Sequence, residues 1–132
     1  MSEKEKISNA VAALQSAAET IRRLEDEARE ALYVRDDPAT YRQKLLEKTI
    51  LLTDLPDVAR PLCNEMPAGF RSEFISGLRS FAIRAHEALE LSSIFYMSAL
   101  LYPDDYREGD PNDLESFIDR LRGKYLFCET AG

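Results

Sequence analysis

The sequence predicts an all-α protein, an antiparallel up-and-down four-helix bundle with a Pro-rich kink or a short extra helix between helices 2 and 3. Three observations predict it. Alanine, leucine, glutamate and arginine dominate a chain with five glycines and no tryptophan, which favours helix over strand. Apolar residues recur in steps of three and four along four stretches. The connections between those stretches are short, and short connections favour antiparallel neighbours. With 132 residues, 45% of them hydrophobic, the chain can bury one continuous core, so a single domain over 1–132 is expected.

The first helix is expected over about 3–34. Ser2 and Glu5 have the spacing of a capping box, and Ile7, Leu14, Ile21 and Ala28 recur every seven residues. Ala10, Ala17, Leu24 and Ala31 widen the stripe. Asp37 and Pro38 then supply an N-cap and a first helical position for a helix over 38–55, with Tyr41, Leu45, Thr49 and Leu52 on one face. Pro56, Pro61 and Pro67 punctuate the chain, and residues 56–67 either continue that helix with a kink or form a separate short one. The third helix is expected over 68–101, where Phe70, Phe74, Leu78, Phe81, Ala85, Leu89, Ser92, Tyr96 and Leu100 follow one stripe and Pro103 ends it. Asp110 and Pro111 repeat the Asp-Pro device before a fourth helix over 111–127, lined by Leu114, Phe117, Ile118, Leu121 and Tyr125.

Composition limits the function classes. No stretch approaches the roughly 20 apolar residues of a membrane span, and the charged N-terminus lacks the apolar run of a secretory signal. Cys63 and Cys128 have no metal-site or disulfide spacing. A reducing cytoplasm, no membrane, no cofactor and no metal are expected. The net charge of −7 disfavours nucleic acid unless a local basic patch exists, for which Arg22, Arg23, Arg29 and Arg35 are the candidates. Asp104, Asp105, Glu108, Asp110, Asp113, Glu115 and Asp119 concentrate negative charge around one arginine. They could hold a basic partner by mimicking nucleic acid.

On a continuous third helix at about 100° per residue, Ile83, Ile94, Met97 and Leu101 lie more than about 90° from the Leu78–Leu89 stripe. A helix apolar on two flanks is covered by its own bundle or by another subunit, so these four residues are the expected interface of a homo-oligomer, with a simple central helix as the alternative.

Arg79 and His86, the only histidine, lie within about 20° of each other and two turns apart on a helix. Their spacing resembles the R-x4–6-H motif of HEPN-type RNases, which implies proton transfer by His86 and phosphate-charge stabilisation by Arg79. The competing reading is a boundary histidine held by Glu90 one turn away. Other catalytic patterns fail. A di-iron bundle needs Glu-x-x-His on two helices, HEALE at 86–90 lacks the second zinc-protease histidine, and nothing in the spacing requires Cys63 to meet His86. Tyr33, Tyr41, Tyr96, Tyr102, Tyr106 and Tyr125 are expected at the edge of the core.

The stretch SEFISGLRSFAIRAHEALEL, residues 72–91, resembles the third helix of the four-helix-bundle family encoded in intervening sequences of bacterial ribosomal RNA genes, whose architecture retroelement accessory proteins share. Glu73, Phe74, Ile75, Leu78, Ala85 and Glu87 carry the match, whereas Ile83 and Arg84 replace small residues. The resemblance implies an oligomeric, non-catalytic binder. The family's nucleic-acid-binding branch is basic, and this chain is acidic. The expected function is therefore a helical-bundle interaction or scaffold protein. It would work through protein–protein contacts with itself and an unidentified protein partner, with a metal-independent RNase and an acidic nucleic-acid mimic as alternatives.

Overall fold

The computed structural model describes residues 2–127, and Cys128 lies outside them. Among the described residues the protein is all-helical. Helix α1 spans Glu3–Tyr33, α2 Pro38–Ala59, α3 Ala68–Glu90, α4 Ile94–Ala99 and α5 Asp113–Tyr125, with a 3-10 turn at Arg60–Cys63. Helix α1 packs along α2 and α2 along α3, while α5 lies against α1 and contacts α3.

The expected caps explain the first two starts. Ser2 Oγ accepts the Glu5 N–H at 3.1 Å, and Asp37 Oδ1 accepts the Thr40 N–H at 3.1 Å with Pro38 opening α2. Pro56 lies inside α2 and deprives the Leu52 carbonyl of its helical donor. The helix nevertheless continues to Ala59 and passes into the 3-10 turn. Residues 56–63 are thus both an extension and a short extra turn.

Two expectations are corrected. Asp110 and Pro111 do not start the last helix. Asn112 is the N-cap and forms a complete capping box with Glu115, while Asp110 Oδ2 accepts the Arg107 N–H at 3.1 Å. Nor is 68–101 one helix. Helix α3 ends at Glu90, where Ser92 adopts a left-handed φ of 49°. The Ser92 and Ser93 N–H groups donate to the Leu89 and Ala88 carbonyls at 3.0 and 3.2 Å, the bonds that close a Schellman turn. Ser93 Oγ then caps α4 by accepting the Tyr96 N–H at 3.1 Å. Adjacent serines make this exchange possible, because their hydroxyls compete with helical bonding and favour caps.

The break changes which residues face inward. Met97 and Leu101 join the expected Leu100 in the core, which runs through Leu14, Ile21, Leu52, Phe70, Phe74, Leu78, Ile118 and Leu121. Between α3 and α5 the filling is aromatic. Phe70 meets Tyr125 edge-on at 5.1 Å and Phe81 meets Phe117 at 5.8 Å. The Phe117 ring lies against Gly77, where a Cβ would stand 2.4 Å from it.

Candidate functional site

Arg79 and His86 both lie on the outer, solvent-facing side of α3. The His86 side chain is 60% exposed, and its Nε2 meets Glu90 Oε1 at 2.7 Å. Arg79 borders a shallow trough with Arg71, Arg84 and Ser76, and His86 is not among its lining residues. Cys63 is buried and does not meet the exposed His86.

The four expected interface residues do not share a surface. Ile83 is exposed on the outer face of α3, Ile94 is half-buried against the core, and Met97 and Leu101 are interior. The reason is the turn at 91–93, which removes the phase relation a continuous helix would impose. Around the same turn three large apolar side chains reach the surface. Leu91 is 64% exposed, Phe95 73% and Tyr96 53%, although Tyr96 belongs to the core stripe on a continuous helix. Tyr33 is also largely exposed rather than at the core edge.

These side chains form one corner. Phe95 and Tyr96 meet edge to face at 5.7 Å. Beside Tyr96 a groove of about 390 Å³ opens between the end of α3, α4 and the start of α5. Its apolar walls are Leu91, Tyr96, Ala99, Leu100 and Leu101, and Arg84, Glu87 and Asp113 stand at the rim. No charged residue occurs between Leu91 and Tyr102. A second apolar groove, about 300 Å³, runs between α1 and α2 beside Ala13, Ala17, Leu51 and Val58.

A buried ionic network fixes the segment that forms the corner. Lys48 is fully buried on α2, and its Nζ lies 2.8 Å from Glu25 Oε2 of α1. The ammonium also donates to the Leu100 carbonyl at 3.1 Å and the Ser98 carbonyl at 3.4 Å. Tyr102 donates its hydroxyl to Glu25 Oε1. Next to it, Arg22 grips Glu115 through two nitrogens at 2.6 and 3.1 Å and donates to the Tyr102 and Tyr106 hydroxyls. Burial pushes the Lys48 ammonium down, against the opposing pull of Glu25. Burial, then Glu25, raises the Tyr102 phenol. The Arg22 hydrogen bonds hold the Glu115 carboxyl below its usual range. The network ties α1, α2, α5 and the 98–102 segment together, and Glu25 and Tyr102 also line a pocket of about 220 Å³ beside Ala28, Tyr41 and Leu45.

The network also divides the expected acidic surface. Glu115 is committed to Arg22, and Asp110 gives its carbonyl to Arg22 and Tyr106. Asp104, Asp105 and Glu108 remain exposed on the loop, Asp113 borders the corner groove, and Asp119 lies on α5 near Arg122. The expected basic patch is likewise dispersed, since Arg22 turns inward to Glu115 and Arg29 pairs with Asp26. Among the described residues no group of three or more His, Cys, Asp or Glu could hold a metal ion, and no helix is long and apolar enough to cross a membrane.

No protein-family model, curated protein or solved structure matches the chain.

Proposed function

We propose that this protein is a non-catalytic helical-bundle interaction protein that associates with itself through the α3–α4 corner. The observation that carries the reading is the exposure of Leu91, Phe95 and Tyr96 together, on backbone that the Schellman turn, the Ser93 cap and Lys48 hold in place. Large apolar side chains clustered at the surface cost solvation unless something covers them. Aromatic residues in a charge-free setting are what buried interface centres use. A rigid presenting backbone lowers the entropy lost on association.

The same proposal takes α1, α2, α3 and α5 as an antiparallel up-and-down four-helix bundle. Four-residue links join α1 to α2 and follow the 3-10 turn before α3, and α5 closes back on α1. An oligomeric bundle without catalysis is also what the resemblance of residues 72–91 to the ribosomal intervening-sequence family implies. Light scattering on the eluting protein tests the reading. Wild type and Ile83→Asp should elute as the same oligomer, whereas Leu91→Asp should elute as a monomer with an unchanged helical spectrum. A wild-type monomer at all concentrations would remove the proposal.

A further inference from the structure

We infer that the outer face of α3, between Arg71 and Arg84, docks an acidic amphipathic helix of a partner protein. This goes beyond the self-association reading, which uses a different surface.

A four-residue repeat builds the face. Arg71, Ile75, Arg79 and Ile83 follow one another in steps of four, so their side chains form one ridge along the helix. Beside it Ser72, Ser76 and Ser80 make a row of short side chains, and both rows line a trough of about 970 Å³. Every residue lining it belongs to α3, so the rest of the described subunit leaves this side uncovered. From Arg71 to Arg84 the face runs ~20 Å. A ridge beside a lower row is a surface against which a second helix packs its own ridge.

Local charge sets the chemistry of that second helix. Three arginines line the trough against one carboxylate, Glu87. The chain holds 24 acidic residues, and Arg22, Arg29, Arg60 and Arg122 each pair with one of them. Arg71, Arg79 and Arg84 pair with none among the described residues. Their exposed guanidiniums are therefore complementary to carboxylates of another molecule. Charges farther away than about 8 Å are largely screened at physiological salt, so this face outweighs the net charge for a short acidic segment. The isoleucines favour a helix over nucleic acid. Ile83 is 60% exposed and Ile75 half-buried, and both stand between arginines. A phosphate backbone leaves them uncovered, whereas the apolar stripe of an amphipathic helix covers them.

Fluorescence anisotropy on the full chain at low salt tests the inference with three synthetic helical peptides of the trough's length. The first has leucines on one face flanked by glutamates. The second replaces each glutamate with lysine, and the third replaces each leucine with glutamine. The first should bind at least tenfold tighter than either of the others. Arg79→Glu and Ile83→Asp, both at exposed positions, should each weaken it at least tenfold with the helical spectrum unchanged. Should Arg79→Glu unfold the protein, Arg71→Glu supplies the same charge reversal. No binding of the first peptide overturns the inference, and equal binding of the lysine peptide overturns the charge assignment. Unchanged affinity in either variant overturns the location. A short single-stranded RNA that binds tighter than the first peptide, and is lost with Arg79→Glu, overturns the choice of a helix. Charge-selective peptide binding by a monomeric wild type upholds this inference and removes only the self-association reading.

Discussion

Replacing Lys48 alone with methionine should destabilise the protein at least as much as replacing Lys48 and Glu25 together. In the wild type the ammonium stands 2.8 Å from a carboxylate that is only 5% exposed, and it also satisfies the carbonyls of Leu100 and Ser98. Lys48→Met leaves Glu25 charged in the interior with the Tyr102 hydroxyl as its remaining close donor. Removing one member of a buried pair costs about 3–5 kcal/mol, and the lost carbonyl bond adds to that total. Glu25→Leu strands the ammonium instead, but its donation to the Leu100 and Ser98 carbonyls remains, so that variant should lose less. In the double variant Glu25→Leu/Lys48→Met no charge is left unpaired. The remaining cost is the unmet Tyr102 hydroxyl and Leu100 carbonyl, about 1–3 kcal/mol each. Urea unfolding followed by circular dichroism gives the three free energies, and their coupling should be at least ~2 kcal/mol. Additive single effects would refute the pairing, because independent sites are what additivity reports.

Three further outcomes follow from particular contacts. Arg22 holds the Glu115 pKa down, so this carboxylate's stabilisation is present above its unfolded pKa and is lost as pH falls through the folded one. Glu115→Gln should flatten the acid limb of a stability–pH profile, and an unchanged limb would contradict the role given to Arg22. Ser92 pays for a left-handed backbone at φ 49°, and Ser92→Gly should raise stability by about 0.5–1 kcal/mol in urea unfolding. His86→Ala should leave total RNA as intact as wild type does on a gel, and degradation by wild type alone would restore the RNase reading.

Much of the architecture was legible because it depends on period and caps. The seven-residue recurrence from Ile7 to Ala28, the Ser2 cap and the Asp37-Pro38 start all describe α1 and α2 as they stand. The end of α3 was not legible from periodicity, since the stripe keeps its helical spacing through Leu89, Ser92, Tyr96 and Leu100 with Ser92 as its one polar member. What ends the helix is local competition at Ser92-Ser93, visible only as two small hydroxyl residues side by side. That one turn moves Met97 and Leu101 inside and Tyr96 out, beside the exposed Phe95, and with them the candidate interface. The start of α5 had a readable signal in Asn112 and Glu115, spaced as a capping box, which the nearby Asp110-Pro111 pair obscured. The buried network left a fainter trace. Lys48 stands in the apolar row between Leu45 and Leu52, and Glu25 stands between Ile21 and Ala28. Charged residues in such positions signal an interior ion pair, but their pairing across two helices needs three dimensions.

Hydrogen–deuterium exchange at two protein concentrations locates any association surface directly. On the present account, concentrating the wild type slows exchange in peptides covering 88–102 and leaves those covering the α1–α2 groove, around Ala13 and Val58, at their dilute rates. Slowing confined to the α1–α2 groove, or no slowing anywhere, would contradict the assignment of the α3–α4 corner as the surface through which this protein acts.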